Sequence, residues 1–104
     1  MFIEFDEYEL MELFCSEPIS VHEKDAGIFI YQKQDKFGFD LVMNISVYER
    51  TCGISLNYVK YSAPIFDYTL KNVTSIKCYS QKMAIIYGNN ETLNVYFEPN
   101  FGIS

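Results

Sequence analysis

The stretch Phe39-Asp40-Leu41-Val42-Met43-Asn44-Ile45-Ser46-Val47 decides the fold. Phe39, Leu41, Met43, Ile45 and Val47 recur at every second position, the period of a strand that buries one face. Asp40, Asn44, Ser46 and Tyr48 fall mainly on the other face. The same period runs outward in both directions. Upstream, Ile19-Ser20-Val21-His22-Glu23 alternates, Lys24-Asp25-Ala26-Gly27 reads as a turn, and Ile28-Phe29-Ile30-Tyr31 is a strand-rich run before a turn at Asp35-Lys36-Phe37-Gly38. Downstream, Arg50-Thr51-Cys52-Gly53 reads as a turn, and Ile54, Leu56 and Tyr58 alternate up to an interruption at Pro64. Further strands are expected at about 72–79, 83–87 and 92–98, the last two joined by Gly88-Asn89-Asn90-Glu91. Leu56, Leu93, Val95 and Phe97 join Leu41, Met43 and Ile45 as the expected core, with Asp40, Asn44 and Asn94 outward.

Before Pro18 the period is different. Leu10, Leu13 and Phe14 stand at i, i+3, i+4, with Met11 beside them, which is a helical stripe. Asp6 followed three residues later by Glu9 forms a capping box, and Phe5 with Leu10 a hydrophobic staple. Pro18 forbids continuation much past Ser16. The expectation is a helix over about 7–15 and antiparallel strands over about 19–98. The fold class is mainly β, a meander forming a barrel-like or sandwich sheet, within one domain spanning 1–104.

Composition agrees. Nine Phe and nine Tyr bring aromatics to 17 % of the 104 residues, and such side chains suit a pleated surface. The three cysteines, Cys15, Cys52 and Cys78, are odd in number and widely spaced, unlike a secreted disulfide framework. The acidic opening lacks the basic region of a signal peptide, and no run approaches the roughly 18 apolar residues of a membrane span. The expectation is a soluble cytoplasmic protein with reduced thiols and no membrane partner.

Charge is unevenly placed. Through Asp25 there are eight acids (Glu4, Asp6, Glu7, Glu9, Glu12, Glu17, Glu23, Asp25) against Lys24, a net −7. The remainder carries six acids and seven bases, net +1, giving the overall −6. Asp6, Glu7 and Glu9 complement the positive end of the helix dipole. Glu4, Glu12, Glu17 and Glu23 do not, and an unbalanced field of this kind steers an oppositely charged partner. Phosphate recognition needs clustered Lys and Arg, so direct binding of nucleic acid is not expected, and a basic protein is the natural complement.

Residues for catalysis are not evident. The single histidine, His22, has no nucleophile or Gly-x-Ser-x-Gly elbow near it in sequence, and no Cys/His spacing matches a zinc site. The five glycines all read as turn or end residues rather than a phosphate loop. The chain is expected to be no enzyme and to need no cofactor or metal. Tyr48 and Tyr96, placed outward by the strand periods, join Asp6, Glu7, Glu9, Glu12 and Glu17 as candidate partner-binding residues, tyrosine being a favoured interface anchor.

The opening Ile3-Glu4-Phe5-Asp6-x-Tyr8-Glu9-Leu10-x-Glu12-Leu13-Phe14 and the closing Leu93-x-Val95-Tyr96-Phe97-x-Pro99-Asn100-Phe101 resemble small immunity proteins of bacterial polymorphic toxin systems, including contact-dependent growth inhibition. The resemblance implies a cytoplasmic protein that binds and neutralises its cognate toxin domain, a basic protein and frequently a nuclease. Two other readings fit the composition: a small β-barrel binding an apolar ligand, and a structural or assembly subunit.

Overall fold

The computed structural model describes residues 2–20 and 27–104. His22, Glu23, Asp25 and most of the turn expected at 24–27 lie outside the described residues. Among the described residues one helix, α1 (Glu7–Phe14), precedes nine strands: β1 (Ile19–Ser20), β2 (Ile28–Gln34), β3 (Phe39–Ser46), β4 (Thr51–Tyr58), β5 (Phe66–Leu70), β6 (Val73–Cys78), β7 (Lys82–Tyr87), β8 (Glu91–Tyr96) and β9 (Gly102–Ile103). All strand pairs are antiparallel. They form a five-stranded sheet of order β1-β2-β3-β4-β5 and a four-stranded sheet of order β6-β7-β8-β9. The sheets stay open, so the architecture is sandwich-like and not a barrel.

Both ends of the helix have local causes. The Tyr8 and Glu9 amides donate to Asp6 Oδ1 at 2.9 and 3.3 Å, satisfying two of the N–H groups that a helix start leaves free. The helix stops at Phe14, earlier than Pro18 requires. Cys15 turns left-handed at φ 56°, and the Ser16 amide bonds back to the Met11 carbonyl at 3.2 Å. No basic residue occupies the last helical turn, but Lys33 on β2 donates to the Leu13 carbonyl at 3.1 Å. Tertiary structure thus supplies the cation that the dipole favours.

The core lies where the sheets and helix meet. Leu41, Met43, Ile45 and Ile54 of the first sheet, Ile76, Met83, Ile85 and Val95 of the second, and Leu10, Leu13 and Phe14 of α1 form one buried cluster. Leu56 and Phe97 belong to it as expected, whereas Leu93 is half-buried at its margin. Asn44 faces solvent, while Asp40 is half-buried and accepts from Gln32 Nε2 at 2.8 Å. Asn94 is likewise half-buried. The segment before α1 ties the layers together. The Ile3 amide donates to the Val47 carbonyl, Glu4 forms a parallel bridge with Ser75, and the Ile76 amide donates to the Glu4 carbonyl.

Several boundaries differ from the sequence expectation. The β3–β4 turn falls at 47–50, closed by Arg50 at φ 57°, and Thr51 already starts β4. Gly53 is therefore no turn residue. It is buried within β4 opposite Asn44, whose Nδ2 stands 2.7 Å from where a Cβ would lie. The lack of a side chain there leaves room for the amide. Strand β5 and the short β9 were not expected.

Candidate functional site

Each described acid of the first quarter is exposed: Glu4, Asp6, Glu7, Glu9, Glu12 and Glu17. The reason is the helix period. Leu10, Leu13 and Phe14 take the inward stripe, leaving Glu7, Glu9 and Glu12 on the remaining circumference. The Glu4–Ser75 bridge then lays this segment beside β6, and two clefts open between them. One, of about 640 Å³, is lined by Glu4, Asp6, Glu7 and Tyr8 facing Ser75 and Lys77. The other, of about 380 Å³, is lined by Glu9, Glu12 and Leu13 facing Cys78, Tyr79 and Ser80. Glu4, Asp6, Glu7, Glu9 and Glu12 thus form one wall of a groove made of these two clefts, which follow one another along β6.

Half-buried Cys78 and buried Tyr31 both feel the field of that wall. Burial pushes the Cys78 thiol up to about 12 from 9.0, and the Glu9 and Asp6 carboxylates push it further in the same direction. The Tyr31 hydroxyl is raised from 10.0 to about 12, first by burial, then by Glu7 and Cys78. A negative neighbour disfavours the charged form of either group. Cys52, in the core, is raised to about 12 by burial alone. Cys15 is the exposed thiol.

The two tyrosines occupy different places. Tyr96 lies on the outer face of β8 opposite Lys82, whose Nζ sits 5.8 Å from its ring and 5.2 Å from that of Tyr79. Its hydroxyl is 3.0 Å from Ser104 Oγ. Through Lys82 and Tyr79, Tyr96 is continuous with the end of the groove holding Glu9 and Glu12. Tyr48 is not on a sheet face, because β3 ends at Ser46. It stands in the turn, 64 % exposed, beside a third, apolar cleft of about 490 Å³ with Phe2, Phe5, Phe29 and Val47. Glu4 and Phe5 line both this cleft and the first, so Tyr48 marks the opposite end of one band. Glu17 lies past the helix, beside Cys15 and Ile19 in a separate cleft, and does not join it.

Sequence reasoning missed Lys77, Tyr79 and Lys82. Lys77 and Tyr79 belong to the far wall, which the pairing of Glu4 with β6 brings opposite the helix, and Lys82 stands over the Tyr79 ring beside it. A second aromatic group, of which Tyr61 and Tyr68 are exposed, was also missed. At the β4–β5 end of the first sheet the rings of Phe39 and Tyr58 lie 4.7 Å apart, Tyr58 and Tyr61 5.1 Å, and Phe66 and Tyr68 5.8 Å. Among the described residues no three of His, Cys, Asp and Glu converge on a metal-sized site. No described helix is long and apolar enough to cross a membrane.

The fold is similar to that of a chain in the contact-dependent growth inhibition toxin–immunity protein complex from Klebsiella pneumoniae 342. The TM-score is 0.80 at 25 % identity, over 100 % of this chain and 96 % of that one. No family model and no curated protein matches the sequence. The resemblance to immunity proteins of contact-dependent growth inhibition, drawn from the opening and closing segments, is borne out by this match.

Proposed function

We propose that this chain is the immunity component of a contact-dependent growth inhibition pair, and that it neutralises its toxin by binding it stoichiometrically in the cytoplasm without catalysis. The observation that carries the reading is the fold match over the whole chain to a component of a toxin–immunity complex. Of the two roles in such a complex, the inhibitor suits the chemistry of this chain. Its acids crowd an exposed helix where water solvates them, unlike carboxylates that burial tunes for proton transfer. The thiols of Cys52 and Cys78 are held protonated, which deprives them of nucleophilic character.

The groove between α1 and β6 is the docking surface in this proposal. Asp6, Glu7, Glu9 and Glu12 meet a basic surface on the toxin, and Tyr96 and Tyr48 flank the contact. Glu17 adds to the long-range field only. A nuclease is the toxin class such a surface fits, because the patch that grips phosphates is the patch an acidic inhibitor occupies.

The test is co-expression with the C-terminal domain of the secreted protein encoded immediately upstream, followed by co-purification. The expected result is restored growth and a one-to-one complex. A folded chain that neither binds that domain nor protects cells overturns the proposal.

A further inference from the structure

Strand β5 closes one side of the five-stranded sheet, and among the described residues no strand pairs with its outer edge. An open edge is a template for another strand unless charge, proline or a bulge blunts it. In β5 only Asp67 carries charge, and Pro64 lies outside the strand. Its two faces are segregated. Phe66, Tyr68 and Leu70 continue the core-facing rows of β4, opposite buried Leu56, Ile54 and Cys52, yet Tyr68 remains 48 % exposed. Asp67 and Thr69 fall on the other face and are exposed.

This pattern is self-complementary about its centre. We propose that β5 pairs antiparallel with β5 of a second copy of this chain, with the twofold axis at Tyr68, joining the two five-stranded sheets into one. In that register Phe66 stands opposite Leu70 of the second copy, Tyr68 opposite its own counterpart, and Asp67 opposite Thr69. The apolar residues then share one face, and each carboxylate meets a hydroxyl donor rather than a like charge.

Charge placement suits this edge for two copies of an acidic chain. The helix acids line clefts against β6, which belongs to the other sheet, so none of them lies on the β5 edge. There each copy brings a single carboxylate, Asp67. A stable interface buries roughly 1,200–2,000 Å², more than five paired residues cover alone. Exposed Ile65 and Tyr61, in the connection leading into β5, extend the contact.

The test is sedimentation equilibrium of the full chain, of Tyr68→Lys and of Tyr68→Glu, each checked for an unchanged melting curve, and of the two variants mixed. The parent is expected to dimerise with concentration. Each variant alone is expected to be monomeric, because like charges meet on the axis, and the mixture is expected to recover the dimer. Hydrogen exchange of the Phe66–Leu70 amides should slow as the parent dimerises, a readout independent of the variants. A parent monomeric up to about 1 mM, the weak end of specific association, overturns the proposal. So does a dimer that both variants and their mixture leave unchanged. Protection of these amides only when a toxin domain is added also overturns it, and assigns the edge to that partner.

Discussion

Phe14 at the end of α1 and Phe97 just after β8 meet edge to face, with ring centroids 5.1 Å apart and planes at 86°. Tyr31 lies 5.4 Å from Phe14 on one side and Phe101 6.0 Å from Phe97 on the other. The opening and closing segments of the chain, far apart in sequence, are thus held by one aromatic contact. Replacing either phenylalanine by alanine should cost about 3–5 kcal/mol, the range for buried aromatic truncation. The double variant should reveal a coupling of about 0.5–1.5 kcal/mol. Urea unfolding of the four proteins measures both; strictly additive losses contradict the contact.

Ile45, wholly buried in β3 between Phe29 and Cys52, tests the main alternation. Ile45→Ala should lower stability by about 2–5 kcal/mol, whereas a change at exposed Asn44 should stay within about 0.5 kcal/mol. Equal effects at the two positions would reverse the assigned faces.

Gly38 ends the β2–β3 turn at φ 97°, and a Cβ there would come within 2.9 Å of Val59 Cγ1. Gly38→Ala combines a disfavoured backbone region with that clash, and should cost about 1–3 kcal/mol. Pairing it with Val59→Ala relieves the clash and leaves the backbone cost, so the double variant should recover part of the loss but not all of it.

Alkaline stability follows from the three raised groups. Tyr31, Cys52 and Cys78 are each near 12 when folded, against ordinary values of 10.0 for Tyr31 and 9.0 for the thiols. Each binds its proton more tightly in the folded chain. Their contribution is therefore fully present below about pH 9 and is lost as the pH rises toward 12, by up to about 1.4 kcal/mol per pH unit for each proton. Urea midpoints between pH 8 and 11 should fall with pH, and a rise would contradict the assignment. At pH 8 a thiol reagent should modify Cys15 rapidly and Cys52 only on unfolding.

Charge reversal at the groove tests the partner surface. Glu12→Lys lies beyond the cap and should slow association with the toxin domain at low salt. The difference should shrink as the Debye length falls from about 10 Å at 0.1 M to about 3 Å at 1 M. Stopped-flow rates at several salt concentrations, beside a melting curve, measure it. A parental rate at low salt in a normally folded Glu7→Lys/Glu12→Lys variant removes the groove from the interface.

What the sequence made legible was what a single period controls. The 3.6 and 2 repeats placed α1, β3 and the helix acids, and Asp6 capped the helix as its chemistry demands. Elements governed by neighbours elsewhere were not legible. Phe66-Asp67-Tyr68-Thr69-Leu70 alternates, but as a half-exposed edge behind Pro64 it carries no strong burial signal. Gly53 looked like a turn because glycine usually is one, whereas here the side chain of Asn44 on the next strand occupies the space. The far wall of the groove was hidden for the same reason: nothing near Lys77 or Tyr79 announces that Glu4 will pair beside them.

Strand order carries a consequence for how the chain reaches this state. In both sheets every strand pairs with its immediate neighbour in sequence, so each hairpin closes a short loop at small entropic cost and can zip without waiting for distant residues. The docking of α1 on β6, the Glu4–Ser75 bridge and the Phe14–Phe97 contact are among the exceptions, since they join the start of the chain to its second half. During synthesis the acidic helix emerges before β6 and finds its far wall only after β6 has been made. A chain stalled before β6 therefore presents the acids without the groove, and the surface proposed to meet the toxin can assemble only once β6 has been made.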